Sequence, residues 1–186
     1  MQHSASQTVG PFFLEALIHA GDEVIAKPGT AGEPIVVEGK VLDAEGSAVN
    51  DAFLEIFQVD AAGRYVADSA GARSGSRFTG FGRASTDKLG TFRFTTLYPG
   101  AVPAANGGSE APHLDVMVFA RGLLKPLVTR IYFAGDALNA EDPVLAQVPP
   151  NRRATLEAWH EPGSGPALWR FDVRLQGQGE TVFFDF

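Results

Sequence analysis

Hydrophobic positions in this chain fall mostly in short alternating runs. Thr91-Phe92-Arg93-Phe94-Thr95 places an aromatic at every second position, and Arg170-Phe171-Asp172-Val173-Arg174-Leu175 repeats the rhythm. A strand turns successive side chains to opposite faces, so such a run buries one face and wets the other. Runs rich in Val, Ile, Phe and Thr predict strands at 34–42, 51–59, 83–85, 91–97, 115–120, 129–133 and 169–175. Three turns between them share the pattern Asp-x-x-Gly, at 43–46, 60–63 and 87–90. Asp bonds backbone two residues on and Gly supplies positive φ, so these read as hairpin turns rather than cation or phosphate loops. The glycine-rich stretches 71–82 and 104–108 predict irregular, exposed loops. Helix is expected at only two places. One is 12–20, after Gly10-Pro11. The other is 150–159, where Pro150 suits a first turn and Leu156 and Trp159 form an i, i+3 apolar pair. The sum is an all-β domain, an antiparallel β-sandwich with short surface helices, over 31–186, with an N-terminal arm over 1–30.

Composition narrows the partners. A chain of 186 residues suits one domain with an arm. Fourteen Phe against two Met point to aromatic packing in a core or an interface. Fifteen Lys and Arg against 22 Asp and Glu give a net charge of −7, which argues against nucleic acid and anionic membrane as partners. There is no Cys, hence no disulfide framework and no thiol chemistry. No basic-then-apolar leader and no apolar run of membrane-spanning length is visible, so a cytoplasmic location is the expectation.

The candidate chemistry sits at Ala111-Pro112-His113-Leu114-Asp115, which opens a predicted strand. His113 and Asp115 are two apart and project from one face. Upstream lie Leu97-Tyr98-Pro99-Gly100-Ala101-Val102-Pro103 and Ala62-Gly63-Arg64-Tyr65. This order resembles the intradiol ring-cleaving dioxygenases, which hold a non-haem ferric ion with two tyrosines and two histidines. On that pattern Tyr65 falls at the first tyrosine and His113 at the first histidine. Val102 stands at the second tyrosine, Asp115 at the second histidine, and Glu110 where the catalytic pattern has an arginine. The resemblance therefore implies a degenerate metal site with no catalytic residue in this chain.

Ser6-Gln7-Thr8-Val9-Gly10-Pro11-Phe12-Phe13 and Gly179-Glu180-Thr181-Val182-Phe183-Phe184-Asp185-Phe186 are similar to the non-iron α chains found within that family. The resemblance runs over nearly the whole chain. It implies a homologous iron-bearing β subunit that keeps Fe(III) and the catalytic groups, and an assembly of several αβ units. The reaction implied is cleavage of protocatechuate with O2 to 3-carboxy-cis,cis-muconate. It also implies that Thr8, Gly10 and Pro11 of the arm line the partner's substrate pocket. Arg130 stands where the α pattern has an arginine, and a guanidinium suits the substrate carboxylate.

Other readings of the same residues remain open at the level of sequence. Tyr65, His113 and Asp115 are all donors a hard ferric ion accepts. Tyr98 could replace the donor missing at Val102 only through a rearranged loop. His113-x-Asp115, His160 and Arg170 follow the ligand order of 2-oxoglutarate oxygenases with a two-histidine, one-carboxylate Fe(II) site. Against that, His160 is expected after a helix and before a Gly-Pro loop, and Arg170 alternates with core residues and is expected to face solvent. A β-sandwich binding or carrier module without catalysis would leave His113 and Asp115 a hydrogen-bonded pair and Arg130 an ordinary salt bridge.

Overall fold

The alternating runs do form strands. The computed structural model describes residues 5–10, 12–66, 77–104 and 107–185. Its strands are β1 (Pro34–Leu42), β2 (Phe53–Phe57), β3 (Phe81–Ser85), β4 (Thr91–Leu97), β5 (Val102–Pro103), β6 (Ser109–Glu110), β7 (His113–Phe119), β8 (Leu127–Phe133), β9 (Glu157–Glu161), β10 (Ala167–Arg170) and β11 (Val173–Arg174). β4 pairs with one edge of β1, while β10 and then β11 pair with the other. From β10 the ladder continues through β9, β8, β7 and β2 to β3. Most pairings are antiparallel, as expected. Those of β1 with β10, β1 with β11 and β8 with β9 are parallel.

The two halves of this path share one core. Ile35, Val37, Phe92 and Phe94 from the β1–β4 half meet Leu54, Ile56, Leu114, Val116, Val118 and Ile131 from the β2–β7–β8 half. Each of these is almost wholly removed from water. The result is a sheet folded into a sandwich with a dry middle. Ile25 is fully buried in the same core, so the chain joins the domain before residue 31.

The Asp-x-x-Gly turns follow their chemistry. Asp43 Oδ1 accepts from the Glu45 and Ser47 amides, Asp60 Oδ1 from Ala62 and Arg64, and Asp87 Oδ1 from Leu89 and Thr91. Gly46, Gly63 and Gly90 take φ of 80°, 75° and 73°. The loop expected at 71–82 is only partly visible: residues 71–76 lie outside the described residues, and Phe81 and Gly82 already belong to β3. Of the loop at 104–108, residues 105 and 106 lie outside them too, and the Ala104 amide donates to Gly108.

Three expectations need correction. The strand at 169–175 is two strands with a break at Phe171 and Asp172. Gly39 of β1 makes room for it, because a Cβ there would stand 1.6 Å from the Phe171 carbonyl oxygen. Asp172 Oδ1 accepts the Lys40 amide in place of a ladder bond. The helix at 150–159 is a 3-10 turn, Arg153–Leu156, running straight into β9. Leu156 and Ala158 are buried while Trp159 is half exposed, so the period there is two and the apolar pair misled. The first helix spans only Phe12–Leu17 and buries none of its residues.

A second, smaller apolar cluster covers the outer face of β8. Leu145, Val148 and Leu156 pack with Ala111 and Tyr132, and Val182 and Phe184 of the C-terminal tail close over them. The tail is pinned by Thr129 Oγ1 donating to the Val182 carbonyl and by the Phe184 amide donating to Val128. Among the described residues, no helix is long and apolar enough to cross a membrane.

Candidate functional site

β7 and β8 have a core face and an outer face. Leu114, Val116 and Ile131 point inward, so their neighbours His113, Asp115, Arg130 and Tyr132 share the outer face. The antiparallel register sets His113 opposite Tyr132 and Asp115 opposite Arg130. Pairs placed this way interact directly across the ladder. The short β5–β6 hairpin adds Val102 opposite Glu110. Strand alternation and one hairpin thus assemble the site the sequence had marked at separate positions.

Arg130 is its centre. Nε donates to Asp115 Oδ1 at 2.9 Å and Nη1 to Glu110 Oε2 at 2.7 Å, with the Tyr132 hydroxyl 3.4 Å from Nη1. The guanidinium side chain is 13% exposed. Burial works against its charge, but the Tyr132 hydroxyl and the two carboxylates outweigh burial and hold it protonated more firmly than usual. His113 is buried, with Nδ1 2.7 Å from the Ala111 carbonyl oxygen. A carbonyl only accepts, so this bond places the proton on Nδ1. Nε2 then faces Glu110 Oε2 and Asp115 Oδ1, each 3.7 Å away.

A buried strut supports this group. Asp142, which is fully buried, accepts the Ala111 amide on Oδ2 at 2.8 Å. Its Oδ1 accepts the Tyr132 hydroxyl at 3.2 Å and the Val144 and Leu145 amides at 2.9 and 2.7 Å. Burial comes first in raising the Tyr132 hydroxyl above its ordinary range. Sequence reasoning missed both residues. Tyr132 was within reach, since it alternates with Arg130. Asp142 carries only the faint signal of an Asp-Pro turn.

The donors do not suit ferric iron. Val102 is buried and its side chain offers no lone pair. Glu110 and Asp115 already hold Arg130. Tyr65 is 61% exposed. Burial of the hydroxyl, and then the Asp115 and Glu110 charges, push it up and disfavour the phenolate a metal would need. Tyr98 cannot stand in, because its hydroxyl donates to Asp136 at 2.8 Å and its ring packs on Phe133 and Trp169. Tyr98→Phe should lower stability by about 1–2 kcal/mol through that lost bond, a fall in Tm of roughly 2–8 °C by calorimetry. An unchanged Tm would mean that Asp136 is equally well served by water.

The structure does not bring the other sequence candidates here. His160 is inside β9 rather than just after a helix, and its exposed ring lies against Trp169. Arg170 does not face solvent freely, since it is paired with Glu38 and Glu161. Among the described residues, no three His, Asp or Glu side chains are grouped to hold a metal ion. Thr8 accepts the Gly122 amide at 2.7 Å, in the turn that follows β7 at the end away from His113. Gly10 is exposed, and a Cβ there would meet nothing within 4 Å. Pro11 lies outside the described residues. Within this chain the arm and Arg130 are therefore apart. A separate cleft of about 740 Å³ opens beside the site, lined by Phe57, Tyr65, Phe81 and Arg83 among others. Phe57 is the register partner of Asp115, and its ring lies 4.7 Å from Phe81.

Comparison with known proteins places this arrangement. A family profile described as Dioxygenase matches residues 8–177. The chain is 44% identical to the protocatechuate 3,4-dioxygenase alpha chain of Burkholderia cepacia, over all of this chain and 98% of that one. It is 38% identical to the corresponding beta chain of Burkholderia cepacia, over 81% of this chain and 67% of the relative. Among solved structures, catechol 1,2-dioxygenase from Pseudomonas arvilla C-1 superposes with a TM-score of 0.65 at 22% identity, covering 83% of this chain and 55% of the other. The last likeness speaks for the fold.

Proposed function

This chain belongs to the intradiol ring-cleaving dioxygenase family, and from that premise we propose that it is the non-iron α subunit of a protocatechuate 3,4-dioxygenase. Its partner is a homologous β subunit that holds Fe(III) and the catalytic groups. Together they cleave protocatechuate with O2 to 3-carboxy-cis,cis-muconate. The observation that carries the reading is a full-length likeness to an alpha chain joined to a site whose donors are spent on Arg130. A cytoplasmic location belongs to the same reading, supported by a chain without Cys.

Several surface features support a partner. Phe12 and Phe13 are 78% and 46% exposed on a helix that buries nothing. A single-turn-scale helix is marginal alone and gains from docking. Phe57, Tyr65 and Trp159 add exposed aromatic area. Gly10 is not required by crowding or by a positive φ inside this chain. A close approach by another molecule would require it. In this reading Thr8, Gly10 and Pro11 shape the edge of the β subunit's pocket, and Arg130 faces the substrate carboxylate through Nη2, the nitrogen outside its two ion pairs.

Co-expression with an iron-bearing β chain tests the proposal. The two should elute together, through an interface of roughly 2,000 Å² or more. Iron, its tyrosinate colour and protocatechuate-dependent O2 uptake should belong to the complex alone. Near-stoichiometric iron in the purified single chain, or two chains that stay separate at micromolar concentration in light scattering, would overturn it.

A further inference from the structure

We propose that the outer face of β9, β10, β1 and β4 is an interface between two copies of this chain, related by a twofold axis running along the strands between β1 and β10. Phe92, Phe94, Val37 and Ala158 belong to the core and Trp169 packs against it. Their neighbours Arg93, Glu38, Arg170 and Trp159 therefore share the opposite face. The register sets these four in one row, with Arg93 opposite Glu38, Glu38 opposite Arg170, and Arg170 opposite Trp159. Arg93 and Arg170 both pair with Glu38, and Glu161, two residues beyond Trp159, reaches back to Arg170 Nε. Across the sheet the charges thus run positive, negative, positive, negative, with an indole beside the last.

That order is complementary to its own reverse. A twofold contact brings one patch against itself, and an axis along the strands reverses the row. Arg170 then faces Glu38 of the second copy, while Arg93 faces its Trp159 and Glu161. An axis across the strands would set each charge on its own kind, so the pattern selects between the two ways of packing face to face with aligned strands. Exposure follows the same plan. Arg93 is 56% exposed, Trp159 50% and Glu161 47%, against 19% for Glu38 and 28% for Arg170. The open parts of the row are the two ends that would meet. The pair with Glu38 uses only Nη1 of Arg93, and a guanidinium on an indole face adds a cation–π contact. The four charges sum to zero on a chain of net charge −7, so two copies meet here with less repulsion than elsewhere. The inference rests on this face and not on the subunit reading. In an αβ complex the same face would join two units through their α chains.

Sedimentation equilibrium on the full chain tests it. Four strands span about 14 Å, which places the contact among the weaker interfaces, so the measurement runs up to about 200 µM. The parent should dimerise in that range. Arg93→Ala, and separately Trp159→Ala combined with Glu161→Ala, should each raise the dimer Kd about tenfold or more, because each lost contact occurs twice. Mixing the two variants gives the sharper readout. Each alone lacks both end contacts, whereas a mixed dimer keeps one end with Arg93 against Trp159 and Glu161. The mixture should associate more tightly than either variant by itself. A parent that stays monomeric at about 200 µM would overturn the proposal. So would either variant dimerising like the parent, or a mixture no tighter than its components.

Discussion

Arg130→Ala in the αβ complex should raise the KM for protocatechuate about ten- to a hundredfold, with kcat close to unchanged. The size follows from the bond that is lost. A hydrogen bond to a charged group contributes roughly 1.5–3 kcal/mol, and each 1.4 kcal/mol is a factor of about ten in affinity. The carboxylate of protocatechuate sits away from the bonds that change, so the proposed contact with Arg130 would stabilise ground state and transition state alike. Loss of uniform binding appears in KM. Asp115 and Glu110 fix the guanidinium plane, which under the proposed role of Arg130 would spare the ordering cost of a free arginine.

Catechol is the control. It lacks the carboxylate, so its KM should move far less, and the iron content should not move at all. Equal losses for the two substrates would point to collapse of the strand pair around Glu110 and Asp115. No loss for either would make Arg130 purely the internal cation of its own chain.

Much of this was legible in the sequence, for local reasons. The alternation of Phe92 and Phe94 places β4 because burial on one face of a strand has a period of two. The Asp43, Asp60 and Asp87 turns declare themselves because each carboxylate bonds amides two and four residues on. What stayed hidden depends on distant partners. β9 forms because Tyr132 and Phe133 offer an edge to Glu157 and Ala158, while Leu156 and Trp159 alone suggest a helix. The break at Phe171 needs Gly39, more than a hundred positions earlier in the chain, to leave its space open. The site divides in the same way. His113, Asp115 and the loss at Val102 are readable from spacing against a family pattern. That Arg130 is clamped between Glu110 and Asp115 is not, because it needs the β7–β8 register and the β5–β6 hairpin together. Asp142 is the extreme case, joined to Ala111 across 31 positions.

Asp142→Ala should be the most damaging single change around the site for stability. Its carboxylate accepts from the Ala111, Val144 and Leu145 amides and the Tyr132 hydroxyl, all within 3.2 Å, and it is fully buried. Truncation strands these donors where water does not readily reach, and each stranded group costs about 1–3 kcal/mol. Relaxation of the 3-10 turn at Leu145–Gln147 recovers part of that, so a net loss of about 3–6 kcal/mol is expected. For a chain of this size that is a fall in Tm of roughly 6–24 °C, read by calorimetry on the purified chain. Asp142→Asn separates the two ends of the carboxylate. Its carbonyl can keep Tyr132, Val144 and Leu145, while its amide turns two hydrogens toward the Ala111 N–H. The loss should then be smaller, about 1–3 kcal/mol. It should also move His113, whose Nδ1 is held by the carbonyl of the same Ala111, and the imidazole NMR signals would report that shift. If Asp142→Ala melts within about 2 °C of the parent, which corresponds to at most about 1 kcal/mol, the buried carboxylate is not the strut that these four bonds describe.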